Sequence, residues 1–281
     1  MSRTAKIRSK RVLPGFSLSL GITLLYLSFI ILIPIIALVI TGAGIGGERF
    51  WRILTSRRVL NALQITVTAA GIATVLNAVY GLLMAWVLTR YRFRGRALLD
   101  ALIDVPFALP TAVAGLTLTA LFSANGWYGA PLESLRISVV YAMPGIVIAM
   151  TFTSIPFVVR AVQPVLEDLD PALEQAAETL GATPWQTFSR VVLPAILPAW
   201  LGGCTVSMAR SMGEFGAVVF IAGNLPGKTE IVSLLAFIRL EEYDYQGAAV
   251  IALVLLVIAL LLLLVSNLFQ LRAARIREAV R

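Results

Sequence analysis

The sequence predicts an all-α, polytopic membrane protein with six transmembrane helices and a cytoplasmic helix-turn-helix loop. Three observations support this fold class. The 281 residues are 59% hydrophobic and only 14% charged, and the mean hydropathy of +0.89 lies well above the range of soluble globular domains. Apolar runs long enough to cross a bilayer recur along the chain. Arginine and lysine gather in clusters between these runs, which is typical of cytoplasmic loops.

The residue composition argues against enzymatic activity. Histidine is absent, which removes the commonest general base and metal ligand. Cys204 is the single cysteine, so the chain has neither an internal disulfide nor a cysteine metal site. The sequence pattern also brings no nucleophile and base together. We therefore expect no bound metal and no catalytic residues, and an intramembrane enzyme is the disfavoured alternative.

The first three spans follow a basic N-terminus. Residues 1–15 carry five basic residues and are expected in the cytoplasm. The uncharged run 16–40 is too long for the apolar core of a signal peptide and predicts the first span. The second span is expected at about 62–88 and the third at about 98–122. Between them, four arginines within residues 90–96 predict a cytoplasmic loop.

Three further spans complete the transmembrane domain, residues 16–269. They are expected at about 139–159, 196–222 and 247–269. The tail, residues 270–281, carries four arginines. The charge distribution predicts that both termini are cytoplasmic, because fifteen of the 23 basic residues then lie inside and seven outside. An amphipathic helix at the membrane surface would accommodate the four arginines of the first outer loop.

A polar stretch, Asp170–Pro194, separates the fourth and fifth spans and predicts two short helices. Asp170 can cap the first helix, the following proline suits the first helical position, and Gly181 ends the helix. Thr183 and Gln186 form a capping box for the second helix. The first helix carries one apolar stripe, formed by Ala172, Leu173, Ala176, Ala177 and Leu180.

Two interpretations compete for this stretch. The apolar stripe can occupy the groove of a partner protein, or it can fold onto the protein's own core. Glu174 and Glu178, four residues apart, are expected on the solvated face of the same helix. A DNA-binding helix-turn-helix is rejected, because three acidic residues and one basic residue between Asp170 and Arg190 cannot neutralise phosphates. No nucleic-acid partner is expected.

Two pairs of charged residues lie within or at the end of the predicted spans. Arg210 and Glu214 stand four apart, about midway along the fifth span, where a charge costs on the order of 3 kcal/mol. Either they form an ion pair that fixes helix packing, or they line a translocation pathway. Asp100 and Asp104 begin the third span beside the arginine cluster. We expect them to complement the helix dipole and that cluster rather than to act as a functional pair.

The segment Ala222–Thr229, AGNLPGKT, imitates a relaxed phosphate-binding loop. A true phosphate-binding loop follows a strand in a soluble α/β unit, whereas this segment follows a membrane span, so no ATP is expected here. Lys228 and its glycine-rich turn lead into a helical run, Ile231–Leu240. They are a weak candidate for contact with an anion or a binding protein on the outer side, and an ordinary turn is the alternative.

The stretch AAETLGATPWQTFSRVVLP resembles the EAA loop of ABC importer permeases. That motif consists of Glu-Ala-Ala, three residues, Gly, nine residues and then Ile-x-Leu-Pro. The matching residues are Ala176, Ala177, Gly181, Leu193 and Pro194, while Gln175 replaces the glutamate and Val191 the isoleucine. In that family the loop, here about residues 161–195, docks into a cleft of the cytoplasmic ATPase. The resemblance implies an ATPase-coupling site formed by Leu173, Glu174, Gln175, Ala176, Ala177, Leu180 and Gly181. Glu174 would supply any salt bridge that Gln175 cannot make.

Three longer stretches are similar to the T subunit of sulfate/thiosulfate importers. They are RVLPGF at Arg11–Phe16, GLLMAWVLTRYRFRGRALLDALIDVPFALPTAVAGLTL at Gly81–Leu118, and ARSMGEFGAVVFIAGN at Ala209–Asn224. The likeness implies that residues 16–269 form a permease domain in a bacterial inner membrane. It also implies a second, W-type permease subunit, an ABC ATPase dimer, a periplasmic or surface sulfate-binding protein, and sulfate or thiosulfate as cargo. ATP and Mg²⁺ would be bound by the ATPase, and no cofactor by this chain.

Two alternatives to this function stay open at the level of sequence. Molybdate permeases share variants of the GEFG segment, so a related oxyanion is an alternative cargo. A self-sufficient channel or ion-driven carrier belongs to a different class and would need no ATPase. Transport that survives without an ATPase partner would distinguish it.

Overall fold

The computed structural model describes residues 16–280. The predicted cytoplasmic N-terminus, residues 1–15, and the side chains of the basic tail, residues 271–281, lie outside the described residues. Every regular element in the described range is helical. In chain order the α-helices are α1 (Phe16–Leu27), α2 (Ile33–Ala43), α3 (Gly47–Leu54), α4 (Arg57–Arg90), α5 (Arg96–Ala108), α6 (Thr111–Phe122), α7 (Gly129–Ser134), α8 (Met143–Glu167), α9 (Pro171–Thr179), α10 (Pro184–Thr187), α11 (Leu193–Met212), α12 (Gly216–Ala222), α13 (Val232–Glu241) and α14 (Tyr245–Val280). Single π-helical turns, Ser28–Leu32 and Phe188–Val192, join α1 to α2 and α10 to α11.

The described residues contain five helical stretches long and apolar enough to cross a membrane. These are Leu18–Ala43, Arg57–Arg90, Met143–Glu167, Pro184–Met212 and Tyr245–Gln270. A sixth crossing results when α5 and α6, which are bent by 112° relative to each other, count as one broken span. The predicted all-α fold is confirmed, and the predicted six spans correspond to this upper count.

The third predicted span is therefore a broken helix and not a continuous one. Leu109 and Pro110 separate α5 from α6, and Leu109 is extended, with φ of −82° and ψ of 133°. Proline disfavours the helical conformation of the residue before it, so the sequence LP breaks the run at this point. Beyond the break, α6 packs closely on α12, where a Cβ on Gly115 would overlap the backbone of Ala217.

The predicted fifth span is wrong at its C-terminal end. It was expected to continue to residue 222, but α11 ends at Met212 and α12 is a separate short helix beginning at Gly216. The three residues between them are not helical, and α12 packs against α6 and α8. The sixth span, predicted at about 247–269, corresponds to Tyr245–Gln270, and helix α14, which contains it, continues to Val280.

Helices α4, α8 and α11 form the centre of the bundle, and α14 packs on α11. Small residues allow the close approach: a Cβ added to Gly81 on α4 would lie 2.8 Å from the Cβ of Val158 on α8, and one added to Gly203 on α11 would lie 2.8 Å from the Cβ of Ala161. Without a hydrophobic driving force between helices in lipid, such close packing is a main source of association. Helix α1 and the first π-helical turn expose their large apolar side chains on every face.

Candidate functional site

The polar loop between the fourth and fifth long helices has the predicted local structure. Asp170 caps α9, and its Oδ1 accepts a hydrogen bond from the Ala172 backbone N–H at 2.9 Å. Helix α9 ends at Thr179, and Gly181 follows with φ of +82°, a left-handed conformation that favours glycine. The predicted helix and glycine turn are therefore confirmed.

The capping box of α10 is also confirmed. The Gln186 N–H donates to the Thr183 Oγ1 at 3.3 Å, and the Thr183 N–H donates to the Gln186 Oε1 at 2.8 Å. The π-helical turn Phe188–Val192 continues directly into α11. The turn after α9 is thus connected, without an intervening loop, to one of the three central helices of the bundle.

The loop presents an apolar face to solvent. Leu173 is 51% exposed, Leu180 is 88% exposed and Trp185 is 71% exposed. Ala176 is exposed as well, and Ala177 is half-buried. Because Leu173, Ala176 and Leu180 follow helical spacing, they lie on one side of α9. We call Leu173, Ala176, Leu180 and Trp185 the coupling face, after the ATPase-coupling role that the sequence predicts for this loop. The alternative that this stripe folds onto the protein's own core is wrong for Leu173 and Leu180, which lie outside the core formed by the described residues.

Glu174 does not lie on a solvated face, contrary to the sequence prediction. Its Oε1 forms an ion pair with the Arg90 Nη2 at the end of α4, and the two side chains are only 22% and 23% exposed. The Arg90 guanidinium also lies over the Trp86 ring, 5.5 Å from its centroid. Gln175 and Glu178 are exposed, so Glu174 points toward the bundle while its neighbours face outward.

Arg210 and Glu214 are brought together, but not on one helical face midway along a span as predicted. Arg210 lies in the last turn of α11, and Glu214 lies in the break before α12. The Arg210 Nη1 is 2.7 Å from the Glu214 Oε2. The Glu214 side chain is 1% exposed, whereas the Arg210 side chain is 36% exposed. The pair therefore joins a buried carboxylate to a cation that reaches the surface of this subunit.

Lys228 lies apart from the other predicted site residues, in an exposed turn before α13. Its backbone N–H donates to the Leu225 carbonyl at 3.0 Å. Glu230, two residues further along the chain, is 1% exposed and forms an ion pair with Arg58 of α4. The distance between the Glu230 Oε1 and the Arg58 Nη2 is 2.7 Å. The turn thus has its own structural ion pair, and Lys228 takes no part in it.

Asp100 and Asp104 bind a residue other than the predicted arginine cluster. Both carboxylates accept from Arg160 of α8, at 2.6 Å between Nη1 and the Asp100 Oδ1 and 2.6 Å between Nη2 and the Asp104 Oδ2. The Gln163 Oε1 accepts a further bond from the Arg160 Nη1 at 2.6 Å. The aspartates therefore have a structural role, as expected, but they hold α5 against α8.

A polar cluster that was not predicted from the sequence lies in the middle of the bundle. The Asn77 Nδ2 on α4 donates to the Ser154 Oγ on α8 at 2.8 Å and to the Ser207 Oγ on α11 at 3.2 Å, and the Ser211 Oγ donates to the Ser154 Oγ at 3.0 Å. All four side chains are fully buried. The four-residue spacing of the two serines on α11 was the one available signal. Because Asn77 and Ser207 are 130 residues apart, their contact has no local signature.

The described residues form a bundle of long apolar helices with an exposed helix-turn-helix at one end, which is the architecture of a multi-span membrane protein. The fold is similar to that of a bacterial ABC transporter involved in the import of the acidic polysaccharide alginate, with a TM-score of 0.71 and 17% identity over 92% of this chain and 96% of that one. This likeness concerns the fold alone. A second solved structure, an amino acid ABC transporter, matches with a TM-score of 0.51 and 20% identity over 77% of this chain and 92% of that one.

The chain belongs to the family described as binding-protein-dependent transport system inner membrane component, which matches residues 77–277. Among curated relatives, it is 56% identical over 96% of its length to the sulfate transport system permease protein CysT of Escherichia coli, of which it covers 97%. It is 45% identical over 89% of its length to the CysT protein of Synechocystis, of which it covers 87%. This chain is therefore a permease component of an ABC importer and a multi-span inner-membrane protein.

Proposed function

We propose that this chain carries sulfate, and thiosulfate with it, across the inner membrane as one of two permease subunits of an ATP-driven importer. The observation that carries the proposal is the 56% identity over nearly the full length of a sulfate permease. The partners would be a W-type permease subunit, a cytoplasmic ABC ATPase dimer that binds ATP and Mg²⁺, and a sulfate-binding protein on the outer side. The chain itself would bind no cofactor.

The coupling face is the proposed contact with the ATPase. Its three large apolar side chains are exposed in the isolated chain, and burial of such a side chain stabilises a complex by about 1.5 to 3 kcal/mol. Gln175 and Gly181 are exposed as well, and Gly181, in its left-handed conformation, forms the turn between Leu180 and Trp185. Glu174 would hold α9 in place from the side facing the bundle, through its ion pair with Arg90.

Arg210 is the proposed pathway residue. A cation partly exposed at the end of α11 suits an oxyanion, because an opposite charge compensates part of the cost of removing the anion from water. Glu214 would hold the Arg210 guanidinium in place and moderate its charge, so that the anion is not retained. Lys228 is assigned only a weak contact with the anion or the binding protein.

The test is complementation of a strain that lacks this permease gene, with radiolabelled sulfate uptake as the measurement. We expect uptake that depends on this chain, on the ATPase and on ATP. Thiosulfate should compete with sulfate, whereas molybdate should not. The purified complex should contain the ATPase and the second permease subunit.

Three results would contradict parts of this proposal. Uptake of molybdate with no uptake of sulfate would assign the related oxyanion as cargo. Uptake that persists without any ATPase would assign a channel or an ion-driven carrier. Purification of this chain without a second permease subunit, in a complex that transports sulfate, would assign a homodimer.

A further inference from the structure

The end of α4 is held by both halves of the helix-turn-helix loop. On one side, Glu174 of α9 forms an ion pair with Arg90. On the other side, the Phe188 ring meets Trp86 edge-on, with 5.3 Å between the ring centroids. Trp185 stacks on the same phenylalanine, with 5.7 Å between the ring centroids. A continuous set of contacts therefore runs from α9 through Arg90, Trp86 and Phe188 to the coupling face.

Arg90 is the centre of this arrangement. Its guanidinium pairs with Glu174 and lies over the Trp86 ring, and both charged side chains are largely withdrawn from solvent. Partial burial strengthens such a pair relative to a fully exposed one, because water screens it less. The planar guanidinium serves both contacts at once, which a lysine ammonium does less well.

Helix α4 in turn cannot slide against its neighbours without disrupting close contacts. Gly81 meets Val158 of α8 at a distance that leaves no room for a Cβ. Four residues earlier, Asn77 hydrogen-bonds both Ser154 of α8 and Ser207 of α11. Packed cores of this kind move as units rather than deform continuously.

We propose that Arg90 is a positioning residue that fixes the helix-turn-helix loop, Asp170–Pro194, to the end of α4, so that displacement of α9 moves α4, α8 and α11 as one body. The proposal rests on the proposed function and deepens it. It also reassigns Glu174, which holds the loop from inside and does not substitute for a glutamate at position 175 in contact with the ATPase. The Arg90–Glu174 pair stays closed throughout the transport cycle.

The experiment uses the complete importer reconstituted in vesicles and measures sulfate uptake per ATP hydrolysed. Glu174→Gln and Arg90→Gln should keep membrane abundance and ATPase co-purification but lower uptake per ATP by roughly fivefold or more, the range of a typical coupling free energy. The reversed pair, Arg90→Glu with Glu174→Arg, should recover part of this loss, because it restores the ion pair but not the cation over the Trp86 ring. Glu178→Gln, an exposed glutamate on the same helix, is the matched control and should behave as wild type.

A cross-link gives a second measurement that does not depend on the charges. Cysteines replace Arg90 and Glu174 in a Cys204→Ser background, and a bifunctional thiol reagent of matching length joins them. Because the inferred contact never opens, the cross-linked importer should regain the uptake per ATP that the unlinked cysteine pair lacks. Cross-linked importer that remains inactive would overturn the proposal, as would wild-type coupling in Glu174→Gln or an equal loss in Glu178→Gln. A wild-type complex that hydrolyses ATP but moves no sulfate would instead refute the proposed function.

Discussion

The buried carboxylate of Glu214 makes two interactions at the break between α11 and α12. Its Oε2 is 2.7 Å from the Arg210 Nη1, and its Oε1 accepts a hydrogen bond from the Ala217 backbone N–H at 3.0 Å. The Glu214 backbone carbonyl also accepts from the Ser233 Oγ of α13 at 2.9 Å. Glu214 therefore connects the end of α11, the start of α12 and the side of α13.

Glu214→Gln should destabilise the protein without removing every contact. A glutamine oxygen still accepts from the Ala217 N–H, but Arg210 loses its counter-charge. Breaking a fully buried pair costs roughly 3 to 5 kcal/mol. Because the Arg210 side chain is 36% exposed, we expect a smaller loss of about 1 to 2 kcal/mol in the free energy of unfolding. Thermal unfolding in detergent measures it. Glu241→Gln, at an exposed glutamate, is the control, and equal midpoints for the two variants would contradict the structural role of Glu214.

Helices α4 and α8 show how single small residues determine the spacing of whole elements. Gly81 faces Val158 with no space for a methyl group, while Gly71, on the same helix and ten residues earlier, has open space within 4 Å of the position that an alanine methyl group would take. The two glycines look alike in the sequence. Of these two glycines, only Gly81 lies where α4 meets α8, so only Gly81 is required for close packing.

Gly81→Ala should therefore lower stability, and Gly71→Ala should not. The methyl group at residue 81 forces the helices apart, and overpacking of this kind costs about 1 to 3 kcal/mol. At residue 71 the same change replaces a poor helix former by the best one, so a small gain of up to about 1 kcal/mol is expected. Thermal unfolding of the two variants in the same detergent measures the difference. A lower midpoint for Gly71→Ala than for Gly81→Ala would show that the helix contact is wrongly assigned.

In the helix-turn-helix loop, the residue expected to bind the proposed partner differs from the residues that stabilise the fold. Leu180 is 88% exposed, whereas Leu166, at the end of α8, is 1% exposed. Leu180→Ala should leave the thermal midpoint unchanged and weaken ATPase co-purification, because so exposed a side chain has little packing within this chain to lose. Leu166→Ala should instead lower the free energy of unfolding by roughly 2 to 5 kcal/mol, the usual cost of a buried cavity. If Leu180→Ala destabilised the isolated chain to the same degree, the coupling face would belong to its own core.

The whole molecule has two polar ends with different charge. One end, at the C-terminus of α4, contains the arginine cluster, the helix-turn-helix loop and Arg160 with its two aspartates. The other end contains the turn before α13 and the short helices α3 and α7. The positive-inside tendency predicts that the first of these ends is cytoplasmic. The proposed ATPase contact requires the same orientation, since ATP is available in the cytoplasm.

Single-cysteine labelling tests this orientation. In a Cys204→Ser background, cysteines at Arg94 and Glu178 should resist a membrane-impermeant thiol reagent in intact cells, and one at Ser134 should react. All three positions are exposed, so access to the reagent depends on the side of the membrane alone. Permeabilised cells serve as the control, because all three cysteines should then react. Labelling of Arg94→Cys or Glu178→Cys in intact cells would reverse the proposed topology.

Local chemistry accounts for the features that were predictable from the sequence. Composition and the length of the apolar runs determined the fold class, because a bilayer accepts only long apolar helices or closed barrels. Asp170, Gly181 and Thr183 determined the ends of the two short helices, because each acts on backbone groups only two or three residues away. These signals do not depend on the rest of the fold.

Only the tertiary structure decided which charges from distant segments meet and against which helices α12 packs. Glu174 reads as a solvated glutamate in the sequence, yet it pairs with Arg90, 84 residues earlier. Arg160 forms ion pairs with both aspartates of α5, and α12 packs on α6. Helical periodicity specifies which face of a helix is polar, but the partner of that face depends on how distant segments pack. The contacts that join α9 and Phe188 to the end of α4 are a property of that packing, and no single stretch of the sequence contains them.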